Sequence, residues 1–104
     1  MSVFAVRIEG DARVVVSGEL DPATAPQLAS AVEALASGGA QRVVVDLAAV
    51  SFIDSTGVSG LLLEQAKLEA NGAVFVLGPT SAQVDSVLQM VGLAAEFVRD
   101  DNAA

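Results

Sequence analysis

The chain has 104 residues, with 13 Asp and Glu against 5 Lys and Arg, no His, Cys, Trp or Tyr, and a net charge of −8. That length suits one domain, and without Cys or His there is no thiol nucleophile, no Ser-His-Asp relay and no structural zinc site. The scattered bases Arg7, Arg13, Arg42, Lys67 and Arg99 cannot follow a phosphate backbone, so neither nucleic acid nor an anionic membrane surface is an expected partner.

Hydrophobic residues make up 53% of the chain and aromatics 4%, so the expected core is aliphatic. The apolar runs stop early, Val43–Val45 at Asp46 and Leu61–Leu63 at Glu64, well short of the ~20 residues of a spanning helix. The opening MSVFAVRIEG lacks the basic start and long apolar stretch of a signal peptide. The absence of cysteine fits a reducing, cytoplasmic location.

In chain order, Val3 to Glu9 and Arg13 to Ser17 are β-branched runs around Gly10-Asp11 and predict a β-hairpin. Gly18-Glu19-Leu20-Asp21-Pro22 breaks the second strand, with Asp21 as expected N-cap and Pro22 at the first helical position. Leu28, Ala29, Val32, Leu35 and Ala36 have the spacing of a one-sided helix, ended by Ser37-Gly38-Gly39. Arg42 to Leu47, apolar except for Asp46, predicts a central strand. Past Asp54-Ser55-Thr56-Gly57, a second helix turns Val58, Leu61, Leu62, Ala66 and Leu68 inward and Glu64, Lys67 and Glu69 outward. It closes at Asn71-Gly72.

Ala73 to Leu77 is the fourth strand, and Gly78-Pro79-Thr80-Ser81 the turn and cap of a third helix with Val84, Val87, Leu88 and Val91 on one face. Gly92-Leu93 ends that helix, and Phe97-Val98 is a short last strand before the acidic tail 99–104. The order β-β-α-β-α-β-α, with a short final β, predicts an α/β domain over 1–104 with its core at about 3–98. Its mixed sheet of four to five strands opens with an antiparallel hairpin and continues parallel, with the helices packed on it.

Asp54-Ser55-Thr56-Gly57 stands where a strand ends and a helix begins, with backbone amides directed outward. An exposed hydroxyl there is open to phosphorylation, which adds about −1.5 to −2 charges. Asp54 or Ser55 also suits the plainer role of helix cap. The carboxylate pairs Glu19/Asp21 and Asp100/Asp101 read as solvated surface, Asp46 as structural, and Gly57 to Gly60 as close packing at a helix start. One of Leu61, Leu62 and Leu63 must face away from the core, where it can serve as a partner contact. No calcium loop and no phosphate-binding glycine loop occurs, so no metal and no cofactor is expected.

The run Val44-Val45-Asp46-Leu47 followed by Val50-Ser51-Phe52-Ile53-Asp54-Ser55-Thr56-Gly57 resembles the signature of the STAS domain, the family of bacterial anti-sigma factor antagonists. Gly18-Glu19-Leu20-Asp21, Asn71-Gly72 and Gly92-Leu93 fit the same pattern, which extends over about residues 3 to 98. The resemblance implies that Ser55 accepts phosphate from an anti-sigma factor that is itself a serine kinase, with Thr56 as the alternative acceptor and a phosphatase to reset the switch. It implies a partner-binding surface of Asp21, Asp54, Ser55, Thr56 and Gly57, on a protein that is a substrate and no enzyme. It also leaves open a fixed accessory subunit that binds the ATPase of an ABC-type transporter.

Overall fold

The computed structural model describes residues 3–10 and 12–100. The expected alternation is present: β1 (Ala5–Glu9), β2 (Arg13–Leu20), α1 (Ala25–Ser37), β3 (Arg42–Ile53), α2 (Ser55–Ala70), β4 (Val74–Thr80), α3 (Ala82–Met90) and β5 (Val98–Arg99), with a single 3-10 turn at Ala94–Glu96. The five strands lie in the order β1-β2-β3-β4-β5. β1 runs antiparallel to β2, and the other neighbours are parallel. Asp11 of the expected turn, Asp101 and the rest of the tail at 102–104 lie outside the described residues.

Each parallel crossover steps the same way along the sheet, so right-handed connections place α1, α2 and α3 on one face. Val14 and Val16, then Val43, Val45 and Leu47, then Phe75 and Leu77 point there in strict alternation. They join Leu28 and Val32 of α1, Val58, Leu61 and Leu68 of α2, and Val84 and Leu88 of α3 in one buried cluster. The Phe75 and Phe97 rings meet at 6.2 Å. On the opposite face Asp46, nearly buried, pairs with Arg13 and takes the Ala48 N–H on Oδ1 at 2.9 Å. The latter bond spans the register shift between Val45 and Leu47, so Asp46 is structural.

Several boundaries move. β2 continues through Gly18 to Leu20, and β3 through Ala48 to Ile53, because the two strands keep pairing past their irregularities, with Glu19 opposite Phe52 and Leu20 opposite Ile53. β4 likewise runs to Thr80, leaving Ser81 to cap α3 by accepting the Val84 N–H at 3.2 Å. α1 starts later than its sequence suggests. Asp21-Pro22-Ala23-Thr24 forms a separate turn, closed by Thr24 N–H to Asp21 C=O at 3.2 Å, and Thr24 becomes the N-cap. Asp followed by Pro is the favoured opening of such a turn.

Gly18 shows why its chain position is sterically restricted. Its φ is +94°, and a Cβ there would fall 2.4 Å from the Val3 carbonyl oxygen. Gly60 is different, since a Cβ there would meet the Ala25 Cβ at an ordinary 3.7 Å. Gly18→Ala should therefore cost about 3 kcal/mol of stability. Gly60→Ala should be neutral or gain up to about 1 kcal/mol from helix propensity. Urea unfolding midpoints of the two variants check the pair.

Candidate functional site

β2 and β3 are parallel and end in register, Leu20 beside Ile53. The residues that follow, Asp21 and Asp54, therefore leave the same end of the sheet on neighbouring strands, which are spaced by about 4.8 Å. Asp54 is extended (φ −115°, ψ −175°) and caps α2, its Oδ1 accepting the Gly57 N–H at 2.9 Å. Its carbonyl takes the Val58 N–H at 3.0 Å. Ser55 and Thr56 occupy the first two helical positions and are exposed. Gly57 is buried beneath them, and a Cβ there would come within 2.8 Å of both the Leu20 carbonyl oxygen and Ile53 Cγ1.

Asp21 is partly buried and ordered by its own turn. Its Oδ1 accepts the N–H groups of Ala23 at 3.0 Å and Thr24 at 3.1 Å. Thr24 Oγ1 donates to the Glu19 carbonyl at 2.7 Å, which fastens the turn to the end of β2. The structure thus gathers Asp21, Asp54, Ser55, Thr56 and Gly57 at one end of the sheet: two carboxylates fixed by backbone amides, two exposed hydroxyls and a glycine beneath them. Asp100 pairs with Arg42 at 2.8 Å, away from this cluster in the chain's last strand region. Of the three consecutive leucines, Leu61 is buried, Leu62 half-buried and Leu63 faces solvent at 55% exposure.

The sequence periodicity places Glu64 outward and Ala66 inward; the structure reverses both. Glu64 and Gln65 are buried, whereas Ala66 is exposed. The reason is the helical spacing itself: Glu64 and Gln65 follow Leu61 by three and four residues and share the stripe of Val58, Leu61 and Leu68, whereas Ala66 lies off it. Gln65 donates to the Glu96 carbonyl at 2.9 Å and ties α2 to the 3-10 turn. Lys67 lies 3.1 Å from Glu33 on α1 and 3.6 Å from Glu64 Oε2. Burial first, then the Glu33 carboxylate, push the Glu64 carboxyl from its ordinary 4.5 up to about 7. Lys67 holds Glu33 below its ordinary value. Small residues at Ser59 and Gly60, facing Ala25 and Ala29, are the sequence signal of this close helix approach.

An apolar groove of about 380 Å³ opens between the two helices and runs up to Thr56, with Pro22, Ala25, Leu63 and Glu64 on its walls. Among the described residues no group of three Asp or Glu is arranged to hold a metal ion, and no helix is long and apolar enough to cross a membrane.

Residues 4–99 match the family model described as Mlab, STAS domain. An anti-sigma factor antagonist from Mycobacterium paratuberculosis is 27% identical and superposes with TM-score 0.77 over 99% of this chain and 88% of that one. The anti-sigma factor antagonist SpoIIAA in its unphosphorylated form is 26% identical, with TM-score 0.71 over 96% and 90% of the two chains. The Bacillus cell fate determinant SpoIIAA in its phosphorylated form, 24% identical, shares the fold with TM-score 0.66 over 96% and 93%. No curated protein sequence matches the chain.

Two outcomes follow from the cap and the buried carboxyl. Asp54→Ala should lower stability by about 1 kcal/mol through loss of the cap, read from denaturant unfolding. Glu64 binds its proton more tightly when folded, so its favourable contribution is complete below pH 4.5 and lost as pH rises to about 7. Unfolding across that window should show wild-type stability falling with pH, and Glu64→Gln should lack that component of the slope.

Proposed function

The chain belongs to the STAS domain family, and we propose that it is an anti-sigma factor antagonist switched off by phosphate on Ser55. The observation that carries this reading is the exposed hydroxyl of Ser55 on the first turn of α2, beside Asp54 and one strand from Asp21. The likeness to SpoIIAA, known in unphosphorylated and phosphorylated forms, supports it.

Physical chemistry separates the effect of phosphate on the fold from its effect on a complex. At the amino end of α2 a phosphate meets the positive end of the helix dipole, so the folded chain accommodates it. The partner meets a different surface, to which about −1.5 to −2 charges have been added. Asp21 and Asp54 are already there, and an acidic or closely packed contact on the partner is then repelled and desolvated at a loss. Unphosphorylated, the protein binds an anti-sigma factor serine kinase and frees its sigma factor. Phosphorylated, it is released until a phosphatase removes the group. The chain is the substrate in this cycle, which would run in the cytoplasm, where sigma factors act.

Incubation with a cognate anti-sigma kinase and ATP should label the wild type and Thr56→Ala, and leave Ser55→Ala unlabelled. Ser55→Glu should bind the kinase at least about tenfold more weakly. Label entering Ser55→Ala, or undiminished binding by Ser55→Glu, would overturn the switch. A stable complex with a transporter ATPase that ignores phosphorylation would identify the fixed accessory subunit instead.

A further inference from the structure

We propose that the unpaired side of β3 at residues 48–53 is a strand-addition edge, onto which an extended segment of the anti-sigma partner adds as a further strand beside Ser55. That the occupant is the anti-sigma partner rests on the reading above; that the edge takes an extended peptide does not.

β4 stops short of the end of β3. Their last paired residues are Leu47 and Thr80, and Ser81 then donates its N–H to the Leu47 carbonyl at 3.2 Å as the chain turns into α3. β3 continues to Ile53 on its pairing with β2, through Ala49, Val50, Phe52 and Ile53. Ala48 gives its N–H to Asp46 Oδ1 at 2.9 Å. Beyond it, alternate residues of a parallel strand turn N–H and C=O to one neighbour and the next residues to the other, so about half of these backbone groups face away from β2. Among the described residues no strand pairs with them on that side.

The other edges of the sheet are blunted. β1 carries the charged pair Arg7 and Glu9, β5 has two residues, one of them Arg99, and β4 carries Pro79 past its pairing with β5. Charge, brevity and proline are the protections that keep a sheet edge from recruiting another strand. Residues 48–53, Ala-Ala-Val-Ser-Phe-Ile, hold no charge and no proline.

A line of alternating N–H and C=O groups is answered along its length by another extended backbone. Ala48, Ala49 and Ser51 are exposed and too small to shield it, and Phe52, 41% exposed, supplies an apolar anchor at the end nearest Ser55. Ile53 is followed directly by the Asp54 cap and Ser55, so a segment lying along 49–53 ends against the Ser55 hydroxyl. Phosphate there sets its charge at the end of the added strand, where it opposes the contact without altering the edge.

The test follows amide hydrogen exchange of the full ¹⁵N-labelled chain, free, with an acetylated and amidated peptide of alternating valine and threonine, and with the anti-sigma kinase. In the free monomer the outward amides among 49–53 should exchange at least about tenfold faster than those at 43–45. If all of 49–53 are as protected as 43–45, the edge is closed and the proposal falls. The kinase should slow the outward amides about tenfold or more. Ser51→Lys, which gives this edge the charge that β1 has, should keep the wild-type urea midpoint and bind the kinase about tenfold more weakly. If the kinase binds and labels Ser55 while 49–53 exchange as in the free chain, or Ser51→Lys binds like wild type, the edge is wrong and the switch stands. If the kinase neither binds nor labels the wild type, the switch is wrong and the peptide decides the edge: saturable protection confined to 49–53 keeps it, and none overturns it. Protection that rises with chain concentration alone makes a second copy the occupant and overturns the assignment to the partner.

Discussion

Gly57 lies where two strand ends and the first turn of a helix meet, with no room for a side chain between Leu20 and Ile53. Everything at that end of the molecule is positioned by this contact. It requires β2 and β3 to finish level, which their register provides. It also holds the start of α2 down on the sheet, so that the two residues before Gly57 are raised into solvent. A larger residue would lift the helix off the strand ends and move the capping carboxylate with it. At this position glycine is a packing requirement.

The acidic residues around that turn are fixed before any partner arrives. Asp21 and Asp54 each hold backbone amides through one carboxylate oxygen, so their charges have set positions and the loops that carry them have little freedom left to lose. A modification among such fixed charges changes potential more than shape. The seam between α1 and α2 follows the opposite logic. There the Glu64 carboxyl is buried beside Glu33, and both burial and that neighbour favour its protonated form.

The order and pairing of the elements were legible because strand runs and helical spacings in this chain are uninterrupted and its turns carry Gly, Asn or Pro. The candidate segment stood out because Asp54-Ser55-Thr56-Gly57 has both capping chemistry and a family pattern. The boundaries that moved share a cause: Gly18, Ala48 and Gly78 look like breaks locally, and interstrand pairing carries the strands across them. The onset of α1 was misplaced because Asp21 and Pro22 suit a β-turn as well as a helix start. Glu64 was misplaced because a charged residue at a helical position reads as solvated even where its spacing is that of the buried stripe. The spacing of α2 alone places Glu64 on the stripe of Leu61 and Leu68, and its polarity hid that.

The strand order of the sheet is the strand order of the chain. Each strand after the first therefore meets, when it is synthesised, a partner that already exists, beginning with the hairpin and moving one place at a time toward β5. Such a sheet can assemble in the direction of translation, without holding a gap open for a later segment. The growing edge is always the newest strand, and the last addition is the two-residue β5, which pairs with β4 at Val76 and Leu77. A small domain made of consecutive neighbours can therefore add its strands in the order in which they are synthesised.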